Sequence, residues 1–256
     1  MQEATDVNTG ILRLALGVED ARSYWERSAE TAHAGPATIA NRALVAFEHR
    51  WFGNKSLPRV QFLLGAFATR YDAFPAALAY LQQWHGMDAA TRTLVCHWHL
   101  QLSDPMYRRF TGEFLVERRR RPGLTVDRFS VLRWVKDEYV NEWSAATYMQ
   151  FATKLISAAA NAGLISANRD PRTLLAPVVT ERALEYLMYL LREVSFAGSL
   201  TANPYLASVG VVDDVVDNRL RNLRTVGYSR MDHLVEFAWQ AADLRGLAGL
   251  TSGGLE

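Results

Sequence analysis

The chain has 256 residues, of which 49% are hydrophobic and 21% are charged. This length allows one large or two small domains with a substantial core, and the composition is typical of a soluble globular protein. Because 28 Lys and Arg residues face 27 Asp and Glu residues, the chain is not coated in positive charge, and any nucleic-acid surface must be a local patch.

Cysteine content and hydropathy favour an intracellular protein. Cys96 is the single cysteine, so no disulfide framework can form within the chain. The polar N-terminus resembles no secretory signal, and no apolar stretch approaches the ~20 residues of a spanning helix. We therefore expect a cytoplasmic protein that makes no membrane contact.

Helical periodicity and capping residues dominate the first two thirds of the chain. Ser56, Asp104 and Ser144 are good N-caps, and Gly163 suits the end of a helix. Thr125 is interpreted as the N-cap of the helix before Ser144. The predicted helices cover residues 18–31, 36–50, 57–72, 75–84, 91–102, 105–121, 125–140 and 145–162.

The pattern changes after Gly163. Two short apolar runs flank the turn signal "NRDP", which predicts a β-hairpin over residues 164–179. Helices are predicted over 180–194 and 211–224, with a connector at 196–204 between them. Residues 228–239 are ambiguous, and "LTSGGLE" at 250–256 is predicted to be a loose tail.

These elements predict a mainly α fold with three regions. Residues 1–102 form an N-terminal helical region, residues 103–200 a winged-helix-like region, and residues 201–256 a helical extension with a loose tail. The middle region has the element order of a winged helix-turn-helix: a helix, a short turn, a second helix and a hairpin.

The stretch "GEFLVERRRRPGLTVDRF" places four consecutive arginines, Arg118 to Arg121, at the end of a predicted helix. Consecutive residues point about 100° apart on a helix, so the four form a collar and not a stripe. The collar has two interpretations. It is either a phosphate-binding surface or a solvated helix end stabilised by the macrodipole and by a pair between Glu117 and Arg121.

The predicted 145–162 helix has two distinct faces. Tyr148, Phe151 and Leu155 share the apolar face, whereas a narrow opposite stripe carries hydrogen-bonding groups, one cation and no carboxylate. The stripe comprises Thr147, Gln150, Lys154, Ser157 and Asn161. Such a stripe either contacts phosphates and base edges or is an ordinary solvated face. Arg169 and Arg172 on the hairpin are well placed for neighbouring phosphates.

Other candidate sites are weaker. "CHWH" contains Cys96 and His99 at i,i+3 but lacks two further ligands with suitable spacing, so packing is favoured over metal binding. Asp213 and Asp217 lie one turn apart, but a solvated helix face is favoured over a divalent-ion site. No phosphate loop or nucleophile motif appears, so we predict neither an enzyme nor a cofactor.

Several segments together resemble the BrxA family, accessory proteins of the bacterial BREX phage-defence systems. They are "NKSLPRV", "LTVDRF", "EWSAATYMQFATKLISAAANAGLI" and "NPYLASVGV", within residues 10–245. The resemblance implies a mostly helical, non-enzymatic protein, NusB-like in part, that binds double-stranded DNA beside other defence proteins. Lys55 and Arg59 match the family's basic segment, and Ser144, Thr147 and Lys154 match its second-helix positions.

Together these observations predict a DNA-binding accessory or adaptor protein of phage defence that binds mainly through phosphate contacts. The alternative is a protein-interaction scaffold that uses a winged-helix surface without binding DNA. The predicted DNA contacts are Lys55, Arg59, Arg118, Arg119, Arg120, Arg121, Ser144, Thr147, Gln150, Lys154, Arg169 and Arg172.

Overall fold

A computed structural model describes residues 1–32, 38–121, 123, 125–232 and 234–252. The helices are α1 (Gly10–Arg13), α2 (Val18–Ala32), α3 (Ile39–Glu48), α4 (Leu57–Phe67), α5 (Pro75–Gln83), α6 (Ala89–Ser103), α7 (Pro105–Arg109), α8 (Leu115–Arg119), α9 (Arg128–Glu138), α10 (Ala145–Asn161), α11 (Glu181–Arg192), α12 (Pro204–Ser208), α13 (Asp214–Arg221) and α14 (Leu244–Ser252). The strands are β1 (Thr125–Val126), β2 (Arg172–Thr173), β3 (Val226–Met231) and β4 (Leu234–Trp239). The predicted mainly α fold with a small hairpin is confirmed.

The N-terminal helices pack around buried aromatic rings. Trp25 of α2 meets Tyr71 edge-on, with the ring centroids 5.4 Å apart, and Phe67 packs beside them. Tyr71 lies in a π-helical turn, Ala68–Asp72, that continues α4, so the predicted helix over 57–72 is confirmed. The helix predicted over residues 36–50 corresponds to α3. Its predicted first residue, Pro36, lies outside the described residues, and α3 begins at Ile39 with Thr38 as its N-cap.

The helix that carries the four arginines is continuous but widened in the middle. Asp104 caps α7, and the π-helical turn Phe110–Phe114 joins α7 to α8. Gly112 in this turn lies against Pro204 of α12, where an added Cβ would be 2.8 Å from the Pro204 Cα. Only glycine allows that approach of two backbones. The helix was predicted to end at Arg121, and α8 ends two residues earlier, at Arg119.

The winged-helix order is present in residues 105–175. β1 follows α8 and pairs antiparallel with β2, and Ile165, just after α10, forms a bridge to Leu174. The predicted hairpin is therefore short, and β1 forms a third strand beside it. The prediction that Thr125 caps α9 is wrong, because Thr125 pairs with Thr173 in β1 and Asp127 provides the N-cap.

The C-terminal region surrounds α11, whose residues from Ala183 to Leu191 are all buried. The ambiguous segment is a second antiparallel hairpin, β3–β4, in which Val226 pairs with Trp239. α14 packs against α5, so the predicted loose tail begins in a helix, and its last four residues, 253–256, lie outside the described residues.

The buried hydrophobic side chains of all three predicted regions belong to one core cluster. Hydrogen bonds of the first residues cross the predicted boundary at 102. Ser195 N–H donates to the Met1 carbonyl at 2.8 Å, and the Arg108 guanidinium donates to the Ala4 carbonyl at 2.7 Å. The boundaries at 102 and 200 stay predictions. Among the described helices, none is long and apolar enough to cross a bilayer.

Candidate nucleic-acid interface

Residues 105–175 are called the winged unit here, and α10 presents its most distinctive polar face. Ser144 caps it, because its Oγ accepts a hydrogen bond from the Thr147 N–H, as the sequence predicted. Phe151, Leu155 and Ala159 are buried on the opposite face. The segment α10 extends for 17 residues, and Lys154 is its only charged side chain. The outer face therefore offers hydrogen-bonding groups and one cation, with no carboxylate to repel phosphate.

The individual side chains of this face are largely available. Gln150 and Lys154 are exposed and form no side-chain hydrogen bond or ion pair within the described residues. Thr147 is half-buried, and its Oγ1 lies 3.0 Å from the Ser144 Oγ. Ser144 and Thr147 thus serve the helix end first, whereas Gln150 and Lys154 are free to contact a ligand.

The turn between α9 and α10 is held by aromatic packing. The Trp143 and Phe151 rings lie 4.6 Å apart, and the Tyr148 hydroxyl donates to the Tyr139 carbonyl. α9 itself exposes Arg133 and Lys136, which are unpaired within the described part of the chain. Sequence reasoning missed this pair, although their i,i+3 spacing opposite Val131 and Val135 indicates an exposed basic face.

Of the two arginines on the hairpin after α10, called the wing here, Arg172 is paired with Asp170. Arg172 Nε donates to Asp170 Oδ1 at 3.0 Å, and the Arg128 N–H donates to Asp170 Oδ2 at 2.9 Å. Burial alone would raise the pKa of Asp170, but these hydrogen bonds outweigh it and hold the pKa below its usual value. Arg169 is exposed and unpaired among the described residues, so it is the cation that the wing offers.

The four-arginine collar divides between two sides of its helix. Arg118 donates to the Thr125 carbonyl at 3.0 Å and stacks on Phe114. Arg121 pairs with Glu117 at 2.6 Å, so the predicted i,i+4 pair is confirmed. Arg118 and Arg121 line a cleft with Trp134 of α9. The exposed Arg120 instead lines a cleft beside α12.

Arg119, one of the predicted phosphate contacts, is half-buried and directed at the end of α12. Its Nη1 donates to the Ser208 carbonyl at 2.7 Å and the Ala207 carbonyl at 3.4 Å, at the end of α12. Burial without a carboxylate partner lowers the pKa of Arg119 to about 10. A phosphate contact by Arg119 would require these hydrogen bonds to break, and the contact stays a prediction.

Lys55 and Arg59 lie on the loop and first turn of α4, away from the winged unit in sequence. Lys55 Nζ contacts Asp20 Oδ1 at 2.7 Å and the Phe52 carbonyl at 3.0 Å. The Arg59 guanidinium carbon lies 4.9 Å from the centre of the Phe62 ring. Lys55 is neutralised by its ion pair, so a phosphate would have to displace a carboxylate there.

Charge is unevenly distributed along the chain. Residues 105–179 contain 12 Lys and Arg against 7 Asp and Glu, a formal charge of +5, whereas the whole chain carries +1. The winged unit is therefore basic within a nearly neutral protein. These charges do not all lie on one surface, because Arg108 is buried against Glu3 and Arg109 pairs with Glu138.

The "CHWH" residues belong to the core. The His97 ring nitrogens contact the Tyr107 hydroxyl and the Ser208 Oγ, each at 2.9 Å. The His99 ring contacts the Arg70 carbonyl and the Tyr186 hydroxyl. Burial raises the pKa of the Cys96 thiol to about 12. Among the described residues, no group of three or more His, Cys, Asp or Glu side chains could hold a metal ion.

Asp217 is half-buried, and its carboxylate is held by two neighbouring side chains. It is one of the two carboxylates considered above as a divalent-ion site. It accepts from the Tyr228 hydroxyl at 2.7 Å and pairs with Arg230 at 3.1 Å. Asp213 precedes α13 with a positive φ of 50°. The carboxylate of Asp217 thus fastens α13 to the β3–β4 hairpin.

Comparison with known proteins supports the fold alone. No family model and no curated protein matches the chain. The structure is similar to the crystal structure of an uncharacterized protein from Magnetospirillum magneticum, with a TM-score of 0.58 and 12% sequence identity. The match covers 80% of this chain and 98% of that chain. It carries no information about function.

Proposed function

We propose that this protein is a non-enzymatic double-stranded-DNA-binding protein that uses α10 and the wing. The observation that carries the proposal is the outer face of α10, where exposed Gln150 and Lys154 stand without any carboxylate on that helix. In a winged helix-turn-helix the second helix enters the major groove and the wing flanks it. Arg169 on the wing adds a second exposed cation.

Phosphate contacts make this binding dependent on salt and nearly independent of sequence. Each neutralised phosphate contributes a slope of about −0.9 to a plot of log affinity against log salt concentration. Lys154→Gln and Arg169→Gln should therefore each flatten the slope by about 0.9, and the double variant by about 1.8. The loss should be similar on two unrelated duplexes, because phosphate contacts carry no base information.

The test is fluorescence anisotropy on both duplexes across a salt series, with circular dichroism to check folding. Arg245→Gln is the matched control, since it removes one exposed cation from α14, which packs on α5. The control should bind DNA with the wild-type slope. A folded double variant that keeps the wild-type slope and affinity would refute the proposal.

The exposed apolar side chains of α9 favour a second candidate, a protein-interaction scaffold. Phe129 is 72% exposed and Val140 just beyond α9 is 66% exposed. Exposed apolar groups near one helix indicate a protein contact more readily than a phosphate contact. Absence of any duplex binding at about 50 mM salt would favour this scaffold.

The resemblance to BrxA proteins leads us to propose further that DNA binding here serves a phage-defence system together with its other proteins. This part of the proposal rests on the resemblance. Its test is phage plating efficiency on a host that carries the whole system with either the wild-type or the Lys154→Gln/Arg169→Gln gene. Equal protection by both genes would contradict it.

A further inference from the structure

A cleft lies between α1, α4 and the end of α6. Its volume is about 390 Å³, which is within the range of small-molecule sites. Most of its wall is apolar, and the large apolar side chains in it include Ile11, Leu14, Phe62 and Leu100. Such a wall suits the hydrocarbon part of a small organic molecule.

Two arginines flank the Phe62 ring, which is part of the lining of this cleft. The guanidinium carbon of Arg13, at the end of α1, lies 4.0 Å from the centre of the ring. That of Arg59, in the first turn of α4, lies 4.9 Å from the same point. Both cations therefore lie close to any molecule that packs against Phe62 in the cleft.

These two cations have no counter-charge. Neither Arg13 nor Arg59 forms a side-chain hydrogen bond or an ion pair within the described residues, whereas Asp20 neutralises Lys55. Two cations beside one ring, without a carboxylate between them, repel each other. A bound anion would relieve that repulsion, and a carboxylate is the anion whose geometry matches a guanidinium.

The charged residues of the lining itself do not oppose an anion. Arg70 donates to three backbone carbonyls between α1 and α2. Asp104 is the only carboxylate in the described lining, and because it is 2% exposed it presents almost no surface to the cleft. An anion beside Phe62 therefore meets two free cations and no exposed carboxylate of the lining.

Gly65 is a further observation at the same cleft. It lies inside α4, where glycine is a poor helix former, and an added Cβ would meet nothing within 4 Å. Alanine would fit there sterically and favour the helix. Glycine at this position keeps volume open in the cleft that it lines.

We propose that this cleft binds a small amphiphilic carboxylate, with the hydrocarbon part inside the cleft and the carboxylate paired with Arg13 and Arg59. The apolar walls remove the hydrocarbon from water, and the two guanidiniums select for negative charge at one end. The site does not depend on the proposed DNA-binding function.

Two ligands with the same chain test the need for charge. Octanoate and octanamide have nearly the same shape, but only octanoate is an anion at neutral pH. We expect both to shift the methyl NMR signals of Ile11 and Leu14, and octanoate to bind about tenfold more tightly, because hydrogen bonds to charged groups contribute about that ratio. The preference should shrink at about 0.5 M salt, which screens partly exposed charges. Failure of both ligands to bind at millimolar concentration, or equal affinity for both at low salt, would overturn the proposal.

Variants at the two arginines locate the charge selection. In the Arg13→Gln/Arg59→Gln double variant the preference for octanoate should disappear, while octanamide should still bind. Arg133→Gln is the matched control, since it removes an exposed, unpaired cation from α9 and should keep the tenfold preference. An unchanged preference in the folded double variant, checked by circular dichroism, would contradict the assignment.

A variant inside the cleft tests where the hydrocarbon lies. Gly65→Leu should fill the cleft and weaken the binding of octanoate and octanamide alike, and unchanged affinities would contradict the proposal. Arg59 is also a predicted DNA contact. If octanoate does not bind and the double variant flattens the salt slope of duplex binding, the two arginines are phosphate contacts and the carboxylate site is wrong.

Discussion

Single buried ionisable residues set the response of this protein to acid. Burial lowers the pKa of His97 to about 3 and that of His99 to about 4, so both imidazoles stay neutral in the folded state. Burial raises the pKa of Asp104 to about 6. The two effects on stability have opposite signs, because acid protonates the unfolded histidines first but protonates the folded aspartate first.

Acidification should therefore destabilise Asp104→Asn more steeply than the wild type. Below about pH 6.5 the unfolded histidines take up protons that the folded ones cannot, and each histidine costs about 2 kcal/mol of unfolding free energy at pH 5. Between pH 6 and about pH 4 the folded Asp104 takes up a proton that the unfolded one does not, which offsets part of this loss. Urea unfolding at pH 7 and pH 5 should show a loss that is about 1 kcal/mol larger in the variant. An identical loss of unfolding free energy in both proteins would contradict the raised pKa of Asp104.

Arg119 should matter to stability and not to DNA. Arg119→Ala removes the donor from the Ala207 and Ser208 carbonyls and should lower the free energy of unfolding by about 1–3 kcal/mol. Arg120→Ala makes the same change at the next, exposed position and should alter stability little. Thermal unfolding measures the difference, and anisotropy should show the wild-type salt slope for Arg119→Ala. A flattened slope with unchanged stability would show that Arg119 faces the duplex.

At the scale of elements, local sequence signals predicted most helices. Elements that depend on long-range pairing could not be predicted from the sequence. Caps such as Asp104 and Ser144 act within three residues, so their helices could be located from sequence. The identity of β1 depends on Thr173, which lies 48 residues away, so no local pattern revealed it. Thr125 was interpreted as a cap because threonine suits both an N-cap and a strand.

The same limit applies to the candidate interface. Periodicity placed Gln150 and Lys154 on the outer face of α10, and the structure agrees. It could not show which arginines of the collar turn inward, because the carbonyls that hold Arg119 come from α12, nearly 90 residues later. The pairing of Arg172 with Asp170 is local, but the same sequence could equally leave both exposed.

The capping box of α9 provides a test at this scale. The Asp127 carboxylate accepts from the Ser130 N–H at 2.8 Å, and the Ser130 Oγ accepts from the Asp127 N–H at 3.2 Å. Asp127→Ala should lower the free energy of unfolding by about 1 kcal/mol. Thr125→Ala, at the position first interpreted as the cap, should cost clearly less. Equal losses by chemical denaturation would contradict the assignment of Asp127.

At the scale of the whole molecule, one buried carboxylate joins the N-terminal segment to distant parts of the fold. Glu3 accepts from the Tyr205 hydroxyl, accepts from the Ala197 N–H at 3.2 Å and pairs with Arg108 at 3.3 Å. All of these partners lie more than 100 residues away along the chain. Glu3 therefore links the predicted N-terminal, middle and C-terminal regions at a single point.

Glu3→Ala should be among the more damaging single substitutions in this protein. It leaves the Arg108 guanidinium buried without its carboxylate, which costs about 3 kcal/mol or more. Glu117→Ala removes an exposed partner from Arg121 and is the matched control, with an expected cost below about 1 kcal/mol. Thermal unfolding of both variants decides the matter, and similar melting temperatures would show that the Glu3 cluster adds little.

The position of Glu3 also imposes an order on biosynthesis. Its partners at Ala197 and Tyr205 are translated about 200 residues after it, which at 5–20 residues per second takes roughly 10–40 s. During that interval the Glu3 carboxylate lacks the two groups that donate to it. These contacts can form only after Tyr205 has been synthesised.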